Sequence, residues 1–127
     1  MDINVLIVDD TMFMRSLLKT ILTKRGYNVV GEEGDGQKAL EKYIELYNKP
    51  EKVDLVLMDI TMPVMDGIEA VKRLKQFDKD AVIVMCSSVS SEQNVFHALQ
   101  EGAKHFIRKP FEEAKVIETI EFVLNKR

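Results

Sequence analysis

Short, almost wholly apolar runs alternate along the chain with stretches whose apolar positions recur at helical spacing. "INVLIV" (residues 3–8) is apolar nearly throughout, which predicts a strand covered on both faces rather than one alternating in and out. From Met14, Leu17, Leu18, Ile21 and Leu22 mark a first helix, and Gly26 suits its C-terminus. "YNVVGE" is a second strand, and Ala39, Leu40, Tyr43, Ile44 and Tyr47 mark a second helix. A loop begins at Pro50, "VDLVLM" (residues 53–58) is a third strand, and Ile68, Ala70, Val71 and Leu74 place a third helix after Gly67. "AVIVMC" (residues 81–86) is a fourth strand. Val95, Ala98 and Leu99 mark a fourth helix, capped by Ser90 or Ser91 and stopped near Gly102. "HFIR" is a short fifth strand, and Ile117, Ile120, Val123 and Leu124 mark the last helix.

Five strand–helix repeats predict an α/β fold: a doubly wound, five-stranded parallel sheet with helices on both faces. Right-handed crossovers restrict its topology to a few forms. At 127 residues and 46% hydrophobic composition, the chain is expected to form one domain over residues 1–127, with a substantial core. Eighteen basic against 21 acidic residues leave a net charge of -3, which gives no reason to expect nucleic-acid binding. There is no signal-peptide pattern, and no apolar run approaches the ~20 residues of a membrane helix, so a soluble, cytoplasmic protein is expected. The single cysteine, Cys86, lies in an apolar strand and reads as a small core residue in a reducing compartment. The seven methionines read as core filler.

In doubly wound sheets, ligands bind beyond the carboxyl ends of the strands, where the strand order reverses. The unusual polar residues fall at those ends. Asp9 and Asp10 follow strand one, Asp59 strand three, Ser87 and Ser88 strand four, and Lys109 (followed by Pro110) strand five. Three carboxylates on one rim repel: charges ~4 Å apart interact by about 4 kcal/mol at an intermediate dielectric. Lys109 supplies one compensating charge, and the remainder calls for a divalent cation. Oxygen ligands without a Cys–His set favour Mg2+, or Mn2+, over zinc. Such a site suits phosphoryl transfer, where positioning and charge neutralisation supply most of the catalysis.

Blander readings exist for single residues. Asp10 could cap the first helix, Lys109 could be a solvated strand end, and Ser87 could cap the fourth helix, although Ser90 and Ser91 are better placed. Asp66–Gly67 reads as a turn before the third helix, and His97 and His105 read as exposed or half-exposed positions without companion ligands. "GEEGDG" has its glycines in the wrong order for a dinucleotide loop and reads as a turn. No P-loop or C-x-x-C stretch exists. Coincidence explains the whole rim poorly.

Taken in order and spacing, "VLIVDD", "LVLMDITMPVMDG", "VIVMCSS" and "FIRKPF" resemble the receiver domain of two-component response regulators, over essentially the whole chain. The resemblance implies the flavodoxin-like strand order 2-1-3-4-5. It implies Asp59 as phosphoacceptor from a phosphohistidine, with Asp10, Asp59 and the Thr61 carbonyl as direct Mg2+ ligands and Asp9 as a ligand through water. Lys109 would pair with phosphoryl oxygens, Ser87 would reach the phosphoryl group after transfer, and Phe106 would be the aromatic switch that turns inward. A cis Lys109–Pro110 peptide and an output face of helix four, strand five and helix five are also implied. Three positions depart from the commoner pattern and bear on switching rate: Ser87 stands for Thr, Ser88 for Ala, and Thr61 holds a place that tunes dephosphorylation.

Ending after the fifth helix leaves no room for a DNA-binding module, so a stand-alone chemotaxis regulator is expected: a phosphorylated signalling switch rather than an enzyme. "DDTMFMRSLLKTIL" also resembles the first helix of that branch. Expected partners are a chemotaxis-type histidine kinase, the flagellar motor switch protein and a phosphatase, with neither nucleic acid nor membrane. The alternatives are a receiver excised from a longer DNA-binding regulator or kinase, and a Mg2+-dependent aspartyl-phosphate phosphatase. The haloacid-dehalogenase signature needs an acidic residue two places after the nucleophile, where this chain has Thr61. A flavodoxin-type carrier needs a phosphate-cradling loop where "DDTMF" presents carboxylates.

Overall fold

The computed structural model of the protein describes residues 2–88 and 92–125. The apolar runs become β1 (Asn4–Val8), β2 (Asn28–Glu33), β3 (Leu55–Asp59), β4 (Ile83–Ser87) and β5 (His105–Arg108). They form one parallel sheet in the order β2-β1-β3-β4-β5. Between and after them lie α1 (Met12–Lys24), α2 (Gly36–Leu46), α3 (Gly67–Phe77), α4 (Glu92–Gln100) and α5 (Glu113–Asn125).

The strands lack polar alternation because both sheet faces are covered. Val5 and Ile7 of β1, Leu55 and Leu57 of β3, and Val84 and Cys86 of β4 pack with Leu18 and Leu22 of α1 and Ile117 and Ile120 of α5. Their neighbours Leu6, Val8, Val56, Met58, Ile83 and Met85 pack on the other face with Tyr43 of α2, Leu74 of α3 and Ala98 of α4. This is the flavodoxin-like, doubly wound arrangement, with α1 and α5 on one side and α2 to α4 on the other. Cys86 is buried, and desolvation raises its thiol pKa well above the ordinary value, so it is an inert core residue.

Helix starts refine the sequence reading. Asp35 caps α2 by accepting from the Lys38 N–H at 2.8 Å, and Asp66 caps α3 by accepting from the Glu69 N–H at 2.9 Å. "GEEGDG" is therefore the end of β2 followed by a helix start, and Asp66–Gly67 opens α3 directly. At α1 the capping position is Thr11, not Asp10. Gly26, with φ of +86°, follows α1 in the left-handed region that favours glycine. β3 starts at Leu55 because Asp54 is occupied with Asn4: its N–H donates to the Asn4 carbonyl and its carboxylate accepts from the Asn4 N–H, both at 2.8 Å. Met12 is 72% exposed, so it is surface rather than core filler. The cap positions Ser90 and Ser91 lie outside the described residues. Among the described residues, no helix is long and apolar enough to cross a membrane.

Candidate functional site

β1 lies between β2 and β3, so the strand order reverses beside the carboxyl ends of β1 and β3. The register pairs Val8 with Met58, which brings Asp9 and Asp59, one residue further on, side by side. On the other flank Ser87 pairs with Arg108, and the Lys109 N–H donates to the Ser87 carbonyl at 2.7 Å. The rim inferred from sequence is thus a property of register: adjacent parallel strands deliver their last residues to one edge.

Asp9, Asp10 and Asp59 each offer a carboxylate oxygen, and the three oxygens lie within 4.8 Å of one another. Asp9 and Asp59 are buried, at 1% and 8% exposure, while Asp10 is exposed. The Lys109 ammonium bridges the buried pair, 2.9 Å from Asp9 Oδ2 and 3.2 Å from Asp59 Oδ1. The other Asp9 oxygen accepts from the Thr11 N–H and hydroxyl, both at 2.9 Å. Asp9 is therefore held from three directions.

Electrostatics follows from this geometry. Burial, then the Asp9 charge, pushes the Asp59 carboxyl up to about 6, with Lys109 pulling the other way. Burial disfavours the Lys109 ammonium, but its hydrogen bond to Asp9 and the charge of Asp59 outweigh that and raise its pKa. One cation for three carboxylates leaves a net negative pocket of hard oxygen atoms, and the residues present fit a small divalent cation.

The flanking residues predicted from sequence occupy distinct places. Thr61 is exposed in the loop after β3, two residues beyond Asp59. Ser87 is buried at the end of β4, whereas Ser88 is exposed. A cavity of about 230 Å³ opens between Ser87, Val95 and Leu99 on one side and Phe106 on the other. Phe106 is half-buried and packs against the core on the α2–α4 side. The Lys109–Pro110 peptide is cis. His97 is exposed and His105 half-exposed, as expected.

Three contributors were not read from the sequence. Thr11 fixes the Asp9 carboxylate, and Arg15 donates a hydrogen bond to the Asp9 carbonyl. Gly67 lets α3 start directly against β3: a Cβ there would lie 2.2 Å from the Asp59 carbonyl oxygen. Gly67 does carry a sequence signal, a glycine shortly after the strand-end Asp, but by itself that pattern reads as turn chemistry. The first two depend on how the β1–α1 turn closes, which spacing does not reveal.

Residues 5–121 match the response regulator receiver domain family. The chain is 50% identical over 121 residues to the chemotaxis protein CheY of Bacillus subtilis, covering 95% of this chain and 97% of that one. It is 49% identical over 116 residues to CheY of Thermotoga maritima, covering 91% and 92%. Among solved structures it is similar to a chain of the CheX–CheY–BeF3–Mg2+ complex from Borrelia burgdorferi, with TM-score 0.89, 42% identity, and coverage of 96% and 89%.

Proposed function

The chain belongs to the response regulator receiver domain family, of the CheY type found in chemotaxis, and from that premise we propose that Asp59 accepts a phosphoryl group from a chemotaxis-type histidine kinase. The observation that carries this reading is the Lys109 ammonium shared by Asp9 and Asp59, beside an exposed Asp10, on the rim where strand order reverses. A structural ion pair would not require the third carboxylate.

Asp59 is the carboxylate suited to attack. In the metal-free protein its pKa near 6 leaves it mostly ionised at neutral pH, and a cation held among the three carboxylates would keep it ionised for attack. An Asp59 oxygen bonds to phosphorus as the bond from phosphorus to the donor imidazole breaks, leaving an aspartyl phosphate and a free histidine. Asp9, Asp10, Asp59 and the Thr61 carbonyl would hold Mg2+, with Mn2+ as the alternative; Asp9 would act through water. Bound there, the cation supplies charge neutralisation at the phosphoryl oxygens. Lys109 pairs with a phosphoryl oxygen, a short move from its present partners. Hydrolysis by water reverses the modification, so the protein is a timed switch.

The added phosphate offers three strong acceptor oxygens to Lys109 and the Ser87 hydroxyl. Drawing Ser87 toward the rim alters one wall of the 230 Å³ cavity that Phe106 also lines, and Phe106 turns into it. Phe106 also lines a second groove of about 490 Å³, with Phe122 and Lys115, against α5. One aromatic ring thus borders both hollows of the α4–β5–α5 face, where the flagellar motor switch protein would bind. A phosphatase acting on Asp59 is a further partner. The test is transfer of a labelled phosphoryl group from a chemotaxis-type kinase, followed by binding to the motor switch protein. Wild type takes the label and binds more tightly, and Asp59→Asn does neither. Equal labelling of both chains would contradict the assignment.

A further inference from the structure

Arg15 stands where simple electrostatics argues against it. It lies in the first turn of α1, where the helix dipole disfavours a cation, and beside a pocket that is to receive a divalent cation. Its side chain is nonetheless 17% exposed and makes two committed contacts. The guanidinium donates to the Asp9 carbonyl through one terminal nitrogen, and its Nε lies 3.6 Å from Glu32 Oε1 on β2. Lys19 also reaches Glu32, at 3.4 Å.

The carbonyl that Arg15 holds belongs to the peptide joining Asp9 to Asp10. That unit is planar, so fixing the oxygen fixes the amide of Asp10 as well. The same residue is anchored on its other side, where the Asp9 N–H donates to the Glu33 carbonyl at 3.0 Å. The Asp9 side chain has Thr11 and Lys109 to hold it, but Asp10 is exposed and depends on its backbone to aim its carboxylate at Asp59. Resting on the Mg2+ reading above, we infer that Arg15 is a positioning residue that orients Asp10 and thereby sets the affinity of the acidic pocket for Mg2+. Glu32 supports it by holding the far edge of the guanidinium. A planar fork makes both contacts at once; a lysine ammonium is a single point and does not.

Charge and position predict opposite signs, which makes the inference testable. Removing a cation near the pocket tightens Mg2+ if charge dominates, and weakens it if position dominates. The experiment is calorimetric titration of the metal-free protein with MgCl2 for wild type, Arg15→Lys, Arg15→Ala and Glu32→Gln, with urea unfolding in EDTA alongside. The expected result is a Mg2+ Kd roughly 10-fold weaker in both Arg15 variants, the loss typical of groups that orient metal ligands. Glu32→Gln shows a smaller loss in the same direction. Phosphorylation by acetyl phosphate then needs more Mg2+ for half-saturation but recovers its rate at saturating Mg2+. Tighter Mg2+ in Arg15→Ala with Arg15→Lys unchanged would overturn the inference in favour of charge alone. Lower urea stability with unaltered Mg2+ Kd would overturn it in favour of a purely structural tie. Absence of Mg2+ binding by wild type would overturn the reading beneath it.

Discussion

Asp59 shows how much of a residue's chemistry comes from its neighbours. Its carboxyl is raised from an ordinary 3.8 to about 6, so the metal-free folded protein binds a proton there more tightly than the unfolded chain does. The stability tied to that proton is fully present below about pH 4 and is lost as pH rises through 6. Asp59→Asn, neutral at every pH, is therefore expected to stabilise the metal-free protein at pH 7 by about 2 kcal/mol, a gain that vanishes by pH 4. Urea unfolding in EDTA at the two pH values measures this, and an unchanged or lower stability at pH 7 would contradict it. Adding Mg2+ reverses the order at pH 7, because a cation stabilises the wild-type carboxylate and has less to bind in the variant.

The loop from β3 to α3 carries the tightest local constraints. Val64 has φ of 67° at the centre of a three-residue turn, closed by the Met65 N–H donating to the Pro63 carbonyl at 2.7 Å. A β-branched residue in that region is strained, and Val64 is 84% exposed, so no packing requires it. Val64→Gly is expected to raise thermal stability by roughly 1 kcal/mol, since glycine lacks the Cβ that makes positive φ costly; a lower melting temperature would count against the strain. Gly67 lies at the other end of this loop. Gly67→Ala would set a methyl 2.2 Å from the Asp59 carbonyl oxygen, and the rigid strand below cannot yield. A loss of about 3 kcal/mol and weaker Mg2+ binding are expected, read by urea unfolding and calorimetry.

The elements were legible from sequence where burial on both faces made the pattern unambiguous. β1, β3 and β4 are each apolar apart from one terminal residue, and the helices repeat their apolar positions cleanly. Boundaries were less legible, since they depend on which backbone groups find partners: Asp54 binds Asn4, and the Ala81 N–H turns back to the Asp78 carbonyl at 3.0 Å before β4 begins at Ile83. The rim residues were legible because parallel strands of one sheet must end on one edge. The strand order came from family resemblance alone. Arg15 and Thr11 stayed hidden because their roles lie in the closure of one turn, where a change of one rotamer would give a different partner.

At the scale of the whole molecule, the proposed switch would link the acidic rim to the α4–β5–α5 face through Ser87 and Phe106. Phe106 lines both the cavity beside Ser87 and the groove against α5, so in the switch proposed above its ring position would distinguish two arrangements of the same fold. Phosphorylation shifts their populations only by the difference in how well each accommodates the phosphoryl group. Phe106→Ala should leave phosphorylation of Asp59 intact while removing most of the phosphorylation-dependent gain in binding the motor switch protein, a coupling of about 5- to 150-fold in typical two-site systems. Comparing that binding with and without BeF3 and Mg2+ measures the coupling; a gain undiminished in the variant would place the switch elsewhere.

The central claim, that the three carboxylates form a Mg2+-dependent phosphoacceptor site centred on Asp59, is tested most directly by intact mass after incubation with acetyl phosphate and Mg2+. Wild type is expected to gain one phosphoryl group, Asp59→Asn none, and wild type in excess EDTA none. A phosphoryl group gained by Asp59→Asn, or gained equally in EDTA, would contradict it.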